Sequence, residues 1–285
     1  MEIKVLCIGD VVGRPGRTLL SWAIPVLRKA RGYDLVVVDA ENIAGGSGLT
    51  PQIFNKLIRY GVDAVTLGDH CYRRQEIIPL LDGDHRLVRP ANMPPGAAGK
   101  GWNVLALENG VKVGVGVLMG RLYMKPADCP FRAADEMVSR LRRETNVILV
   151  EMHAEATSEK VAMGWHLDGR VSAVFGTHTH VPTADAEVLP GGTAYITDLG
   201  MTGPYDSVLG RNKRKVIRSL ISGMPNMYDI AEDDLRIGAM SVTIETTTGR
   251  ATGVESIILR ERQLKELEAQ VGKVATDGDD DRDSD

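Results

Sequence analysis

Residues 3–8 form an apolar run broken only by Lys4, and residues 35–38 and 147–150 form unbroken ones. Such runs predict strands buried on both faces, because a half-exposed strand alternates apolar with polar positions. Between the first two, residues 17–31 carry an amphipathic helical pattern. Thr50-Pro51 opens another helix that runs to about Tyr60, with Thr as N-cap and Pro at the first helical position. A further strand is expected over residues 62–67. The order β-α-β-α-β requires a parallel sheet with right-handed crossovers. The pattern then turns antiparallel. Residues 103–117 read as two strands about Asn109-Gly110. Residues 184–189 and 194–197 flank Pro190-Gly191-Gly192, and residues 239–245 and 253–259 flank a Thr/Gly-rich turn. Helices are expected over residues 133–143 and 260–270, with a short strand at 171–175. Together these elements predict an α/β fold of two stacked sheets with helices outside, forming one domain over residues 1–272.

Charge and composition narrow the partners. The formal charge of −4 is concentrated at the end of the chain: residues 277–285 hold six Asp and one Arg. Without them the remainder is close to neutral, so no basic groove for a stable nucleic-acid complex is expected. Residues 273–285 are expected to be a disordered acidic tail. No stretch approaches the ~20 apolar residues of a membrane helix. A strand begins at the N-terminus without a signal segment, so a cytoplasmic protein is expected. The three cysteines, Cys7, Cys71 and Cys129, form no C-x-x-C pair and suggest neither disulfides nor a zinc knuckle.

The chemistry lies just past the strand ends, where open α/β sheets place their ligands. Gly9-Asp10, Asp39-Ala40-Glu41-Asn42, Gly68-Asp69-His70, Glu151-Met152-His153 and Gly176-Thr177-His178-Thr179-His180 each follow an expected strand. Any one cluster is weak: a lone Asp there is usually a helix cap, and a lone His a hydrogen-bonded core residue. Their repetition at five strand ends is informative. Four of the six histidines fall in these clusters, while His85 and His166 lie in polar surroundings and are read as bystanders. In His178-x-His180, alternate residues of an extended segment would point the same way. Imidazole mixed with carboxylate suits Mn, Fe or Zn rather than Mg or Ca. Two such ions can polarise a phosphoryl oxygen and activate water, while a histidine donates a proton to the leaving oxygen.

These motifs resemble the calcineurin-like metallophosphoesterases. More narrowly, residues 39–46 (DAENIAGG), 153–160 (HAEATSEK), 176–185 (GTHTHVPTAD) and 198–204 (DLGMTGP) look like the bacterial 2′,3′-cyclic-nucleotide 2′-phosphodiesterases, over about residues 1–260. The resemblance implies a four-layer α/β/β/α sandwich, a homo-oligomer, and two metal ions, iron or manganese. It implies that Asp10, Asn42 and His180 hold the first metal and Asp69, His153 and His178 the second, with Glu41 bridging. His70 would protonate the leaving ribose oxygen after attack by a metal-bound hydroxide. The substrate would be a small phosphodiester such as a cyclic nucleotide. Residues 155–160 would line the site, with Thr157 a candidate helix cap. The loop Gly45-Gly46-Ser47-Gly48 could approach the nucleotide or simply form a surface turn. One departure stands out: the subfamily pattern has Asn at the position of Asp69. The carboxylate would hold metal more firmly and attract an anionic diester less, or serve as an equivalent oxygen ligand. The alternatives are a non-catalytic metal- and nucleotide-sensing regulator, against which an intact His70 argues, and a metal-dependent RNA-cleaving protein, which the near-neutral remainder of the chain disfavours.

Overall fold

The computed structural model describes residues 1–272; the acidic tail expected over 273–285 lies outside the described residues. The first part alternates β1 (Glu2–Ile8), α1 (Gly13–Arg31), β2 (Leu35–Asp39), α2 (Pro51–Arg59), β3 (Ala64–Thr66), α3 (Ile78–Gly83) and β4 (Leu87–Val88). Next come β5 (Trp102–Ala106), β6 (Lys112–Met119), α4 (Pro130–Leu141), β7 (Val147–His153), α5 (Thr157–Leu167), β8 (Ala173–Thr177), β9 (Glu187–Val188) and β10 (Ala194–Ile196). The last elements are β11 (Gly203–Pro204), α6 (Lys213–Ser222), β12 (Leu235–Glu245), β13 (Ala251–Arg260) and α7 (Glu261–Val271).

The strands form two sheets. In the first, β1 to β4 are parallel neighbours, β12 runs antiparallel to β1, and β11 and β13 both pair with β12. In the second, the order is β5-β6-β7-β8-β10-β9, with parallel strands at the centre and antiparallel ones at both edges. Three apolar layers explain the stacking. Along β1, Leu6 and Ile8 face α1 and α2, while Val5 and Cys7 face the other sheet, as the two-residue period of a strand dictates. The inter-sheet layer joins Val5 and Val37 to Val115, Leu149 and Phe175. A third layer packs Ile148, Val150 and Val174 against Met137 of α4 and Met163 of α5. The result is the α/β/β/α sandwich.

Several expected boundaries move, among them α4, which starts at Pro130 rather than residue 133, and β12, which starts at Leu235 rather than residue 239. The first helix starts at Gly13, not at residue 17. Its first turn passes so close to the 199–204 segment that a Cβ on Gly16 would lie 2.4 Å from the Thr202 carbonyl oxygen. Residues that small carry no apolar periodicity, which hid the turn. Thr157 is the first residue of α5 rather than its cap; Ala156 holds the cap position, without a side-chain bond. Thr50 does cap α2, its hydroxyl accepting from Ile53 N at 3.2 Å.

Candidate metal centre

All eight residues singled out in the sequence come together where the carboxyl ends of the two sheets meet. Asp10, just past β1, accepts a hydrogen bond from His178 N at 2.9 Å, and its other oxygen lies 3.4 Å from His180 Nε2. At the end of β2, Asp39 accepts from Glu41 N at 3.0 Å, a local turn that aims Glu41 into the cluster. Glu41 in turn accepts from His70 N at 3.0 Å and lies 3.5 Å from His153 Nε2. The Asn42 amide nitrogen reaches Asp10 and Glu41, each at 3.2 Å, and lies 3.3 Å from His180 Nε2. Its oxygen lies 2.9 Å from His70 Nδ1. Past β3, Gly68 makes room for the centre: a Cβ there would lie 2.2 Å from His153 Nε2.

His153 is fully buried at the end of β7. Thr177 donates to Glu151 at 2.7 Å, leaving its oxygen to accept from His153 Nδ1 at 2.9 Å. That relay puts the proton of a neutral His153 on Nδ1 and turns the Nε2 lone pair into the cluster. Nε2 faces His178 Nδ1 at 3.1 Å. His178 and His180 do not lie on an extended segment, as their spacing suggested. Both have left-handed backbones, with φ of 93° and 64°. Such angles cost about 1–3 kcal/mol for a residue with a side chain and persist where surrounding bonds impose them. Here Asp10 holds His178 N, Asp198 accepts from the Thr179 hydroxyl at 2.7 Å, and Leu209 O lies 3.2 Å from His180 Nδ1.

The electrostatics fit a cation. One oxygen of Asp69, Oδ1, is buried without a hydrogen-bond partner, 3.5 Å from His153 Nε2 and 3.7 Å from His178 Nδ1. Glu41, Asp69, His153 and His178 offer ligand atoms all within 4.8 Å of one another, and so do Asp10, Asp39 and His153. Burial alone would lower the pKa of His153, but Glu41, Asp39 and Asp69 raise it well above its ordinary value. Burial opposes protonation of His180 too, and Asp10 overcomes it. His178 is lowered by burial and by the neighbouring His153. Asp10, Glu41 and Asp69 are held below the usual range, burial being outweighed by the imidazoles around them. Asp39 moves the other way, raised by burial and by Asp10 and Glu151. Protons on imidazole are thus balancing carboxylates that a metal ion would balance equally well.

Several supporting residues carried no role in the sequence reading. Asp39, Glu151 and Thr177 lie beneath the ligand set, and their partners depend on cross-strand register. Lys160 of α5, expected with the rest of residues 155–160 to line the site, is instead fully buried and donates to Asp198 at 2.5 Å, fixing the carboxylate that holds Thr179. The Gly45-to-Gly48 loop exposes Gly45 but buries Gly46 and Gly48, and it is tied down where Arg211 donates to Gly46 O at 2.6 Å and Arg74 to Ala44 O at 3.3 Å. Cys7 and Cys71 are buried and all three cysteines are free. His166 pairs with Asp135 at 3.0 Å, away from the cluster.

Comparison with known proteins gives a consistent picture. The model of the YmdB-like protein family matches residues 6–257. A 2′,3′-cyclic-nucleotide 2′-phosphodiesterase of Bacillus subtilis is 42% identical over 262 residues, 92% of this chain and 99% of that protein. The crystal structure of a hypothetical protein from Thermus thermophilus superposes with a TM-score of 0.85 at 41% identity, covering 91% of this chain and all of that one. A structure described as a novel phosphatase from Mycoplasma pneumoniae gives 0.84 at 32% identity, covering 95% and 99%.

Proposed function

The chain belongs to the YmdB-like family, and from that premise we propose that it is a metal-dependent phosphodiesterase acting on 2′,3′-cyclic nucleotides or closely related phosphodiesters. Its curated Bacillus relative bears the name of that activity. The observation that carries the reading is the orphaned Asp69 oxygen facing the imidazole nitrogens of His153 and His178, in a cluster of seven ligand-type side chains. Asp10, Asn42 and His180 would hold one cation and Asp69, His153 and His178 a second, with Glu41 between them. A mixed imidazole and carboxylate set of this kind suits manganese or iron. Bound there, the two ions would supply Lewis acidity toward the phosphoryl oxygens and lower the pKa of the attacking water.

The chain's own residues account for the remaining steps. His70 sits at the rim, its side chain 24% exposed, with its backbone fixed by Glu41. Its Nδ1 points at Asn42 and Glu41, at 2.9 and 3.3 Å, while Nε2 lies on the Asp69 side, 3.7 Å from Oδ2. With Nδ1 engaged on the protein, Nε2 is the nitrogen left to give a proton to a departing ribose oxygen. Asn42 acting as an oxygen ligand would need its amide turned over. The amide nitrogen would then donate to His70 Nδ1, leaving the proton of a neutral His70 on Nε2. Opening the 2′ bond of a cyclic phosphate in this way yields a 3′-nucleotide.

The test is elemental analysis of the purified protein beside turnover of 2′,3′-cyclic AMP, for wild type and His70→Ala. The variant is expected to keep its metal and lose about 10²–10⁴-fold in turnover, the usual contribution of a positioned acid. A wild type that binds metal but hydrolyses no cyclic phosphate would overturn the reading in favour of a sensor. A His70→Ala variant with undiminished turnover would remove His70 from the mechanism.

A further inference from the structure

Lys125 lies on the segment that joins β6 to α4, and its ammonium sits directly on Asp69, a candidate ligand of the centre. Its ammonium donates to the Asp69 carbonyl oxygen at 3.0 Å and to Asp69 Oδ2 at 3.1 Å. The carboxylate is therefore divided. Oδ1 turns inward to His153 and His178, and Oδ2 turns outward to Lys125. The segment is delivered to this place rather than left loose. Buried Glu159 accepts from Arg121 N and Leu122 N, each at 3.0 Å, on one side. On the other, Asn92 exchanges two hydrogen bonds of 2.9 Å with the Asp128 backbone. Between these anchors Tyr123 takes a left-handed backbone, φ 62°, a conformation that fixed ends can impose.

Charge makes the contact consequential. The candidate ligand set holds three carboxylates, those of Asp10, Glu41 and Asp69. Around two divalent cations they leave a single positive charge, which an attacking hydroxide would cancel. A neutral centre has little pull on an anionic diester. An ammonium about 3 Å from one of those carboxylates offsets part of the negative charge at the mouth of the site, where the half-exposed Glu155 adds another carboxylate 3.3 Å from His178 Nε2.

We infer that Lys125 is a positioning residue that acts through Asp69: it offsets the outer half of that carboxylate, so that a centre with three acidic ligands still attracts a phosphodiester. The inference rests on the phosphodiesterase reading above and deepens it. The carbonyl contact keeps Lys125 in place when a cation engages the carboxylate, since a main-chain oxygen cannot turn away.

The test compares wild type, Lys125→Met and Lys125→Arg, each manganese-loaded, by calorimetric titration with inorganic phosphate and by kinetics on 2′,3′-cyclic AMP. Lys125→Met is expected to bind phosphate about fivefold more weakly and to raise KM by a similar factor, the upper range for a half-exposed pair. Its kcat should stay within about twofold, and Lys125→Arg should recover most of the loss. Repeating the Met substitution in an Asp69→Asn background separates the routes. Offset of the Asp69 charge predicts that the double variant, whose net charge at the mouth equals that of wild type, regains most of the wild-type phosphate affinity. A loss that persists in full would mean direct contact with phosphate and would overturn the inference. Equal phosphate affinity of wild type and Lys125→Met would overturn it too, as would loss of manganese from Lys125→Met by elemental analysis, the mark of a merely structural tether. A wild type that binds phosphate but hydrolyses no diester would sink the parent reading, while the phosphate titrations would still decide the role of Lys125.

Discussion

At the scale of single residues, the centre is assembled by side chains that give way and by backbones that are forced. Gly68 is the clearest case. It precedes the ligand-type Asp69, and any Cβ at that position would overlap the His153 ring, with atoms of the imidazole at 2.2–2.3 Å. His153 has no room to retreat, because it is fully buried and tied through Thr177 to Glu151. Gly68→Ala is therefore expected to push the imidazole off its place and to lower bound metal to well under the wild-type content. Elemental analysis checks this, with circular dichroism confirming that the fold survives. Full metal content in the variant would mean that the ring shifts freely. The left-handed His178 and His180 express the same economy in the backbone: their angles are held by Asp10, Asp198 and Leu209. Sequence spacing placed these two histidines together correctly but for the wrong conformational reason, since alternation presumes a strand that has already ended at Thr177.

At the scale of elements, what was legible followed from burial. Strands covered on both faces must be apolar throughout, so β2 and β7 declared themselves, and the polar residues after them marked the site. Elements that bury little were passed over. In α6 the apolar Val216, Ile217, Leu220 and Ile221 recur at helical spacing, but only Val216 is buried, and the helix was not among those expected. It also carries local signals: Asn212 caps Arg214 N and Lys215 N, and Gly223 closes it in the left-handed conformation. The two-residue β4 and β11 are too short to show any period. The roles of Glu151 and Thr177 were illegible for another reason. They depend on the parallel register that sets His153 opposite Thr177 across β7 and β8, which no single strand encodes. The pair between Lys160 of α5 and Asp198, which follows β10, is the same kind of long-range fact. Both side chains are 1% exposed. Lys160→Met would leave the Asp198 charge buried without its partner, and a loss of about 3–5 kcal/mol is expected. Urea denaturation measures it. A change below about 1 kcal/mol would mean that solvent reaches Asp198 after all.

At the scale of the whole molecule, the centre straddles the two sheets. Asp10, Glu41, Asn42, Asp69 and His70 follow strands of the first sheet, whereas His153, His178 and His180 belong to the second. A cation shared between them would brace the same interface that the inter-sheet apolar layer closes, and binding only the folded state would stabilise it. The gain is about 2.7 kcal/mol at a free metal concentration 100-fold above the dissociation constant. Its pH dependence follows from the shifts. In the metal-free protein His153 and His180 have raised pKa values, so their contribution to stability is present below the unfolded value of about 6.5 and fades as pH rises through the folded values. Asp10, Glu41 and Asp69 are lowered, so theirs is present above about pH 4 and is lost as pH falls through the folded values. The metal-free protein should thus be favoured in weakly acidic solution and weaken toward alkaline pH. Metal displaces the imidazole protons, so its affinity should rise over the same interval. The difference in Tm between manganese-loaded and EDTA-treated protein is accordingly expected to widen from about pH 6 to about pH 9. Thermal scans across that range check it, and a constant difference would mean that the buried imidazoles are already neutral before the metal arrives.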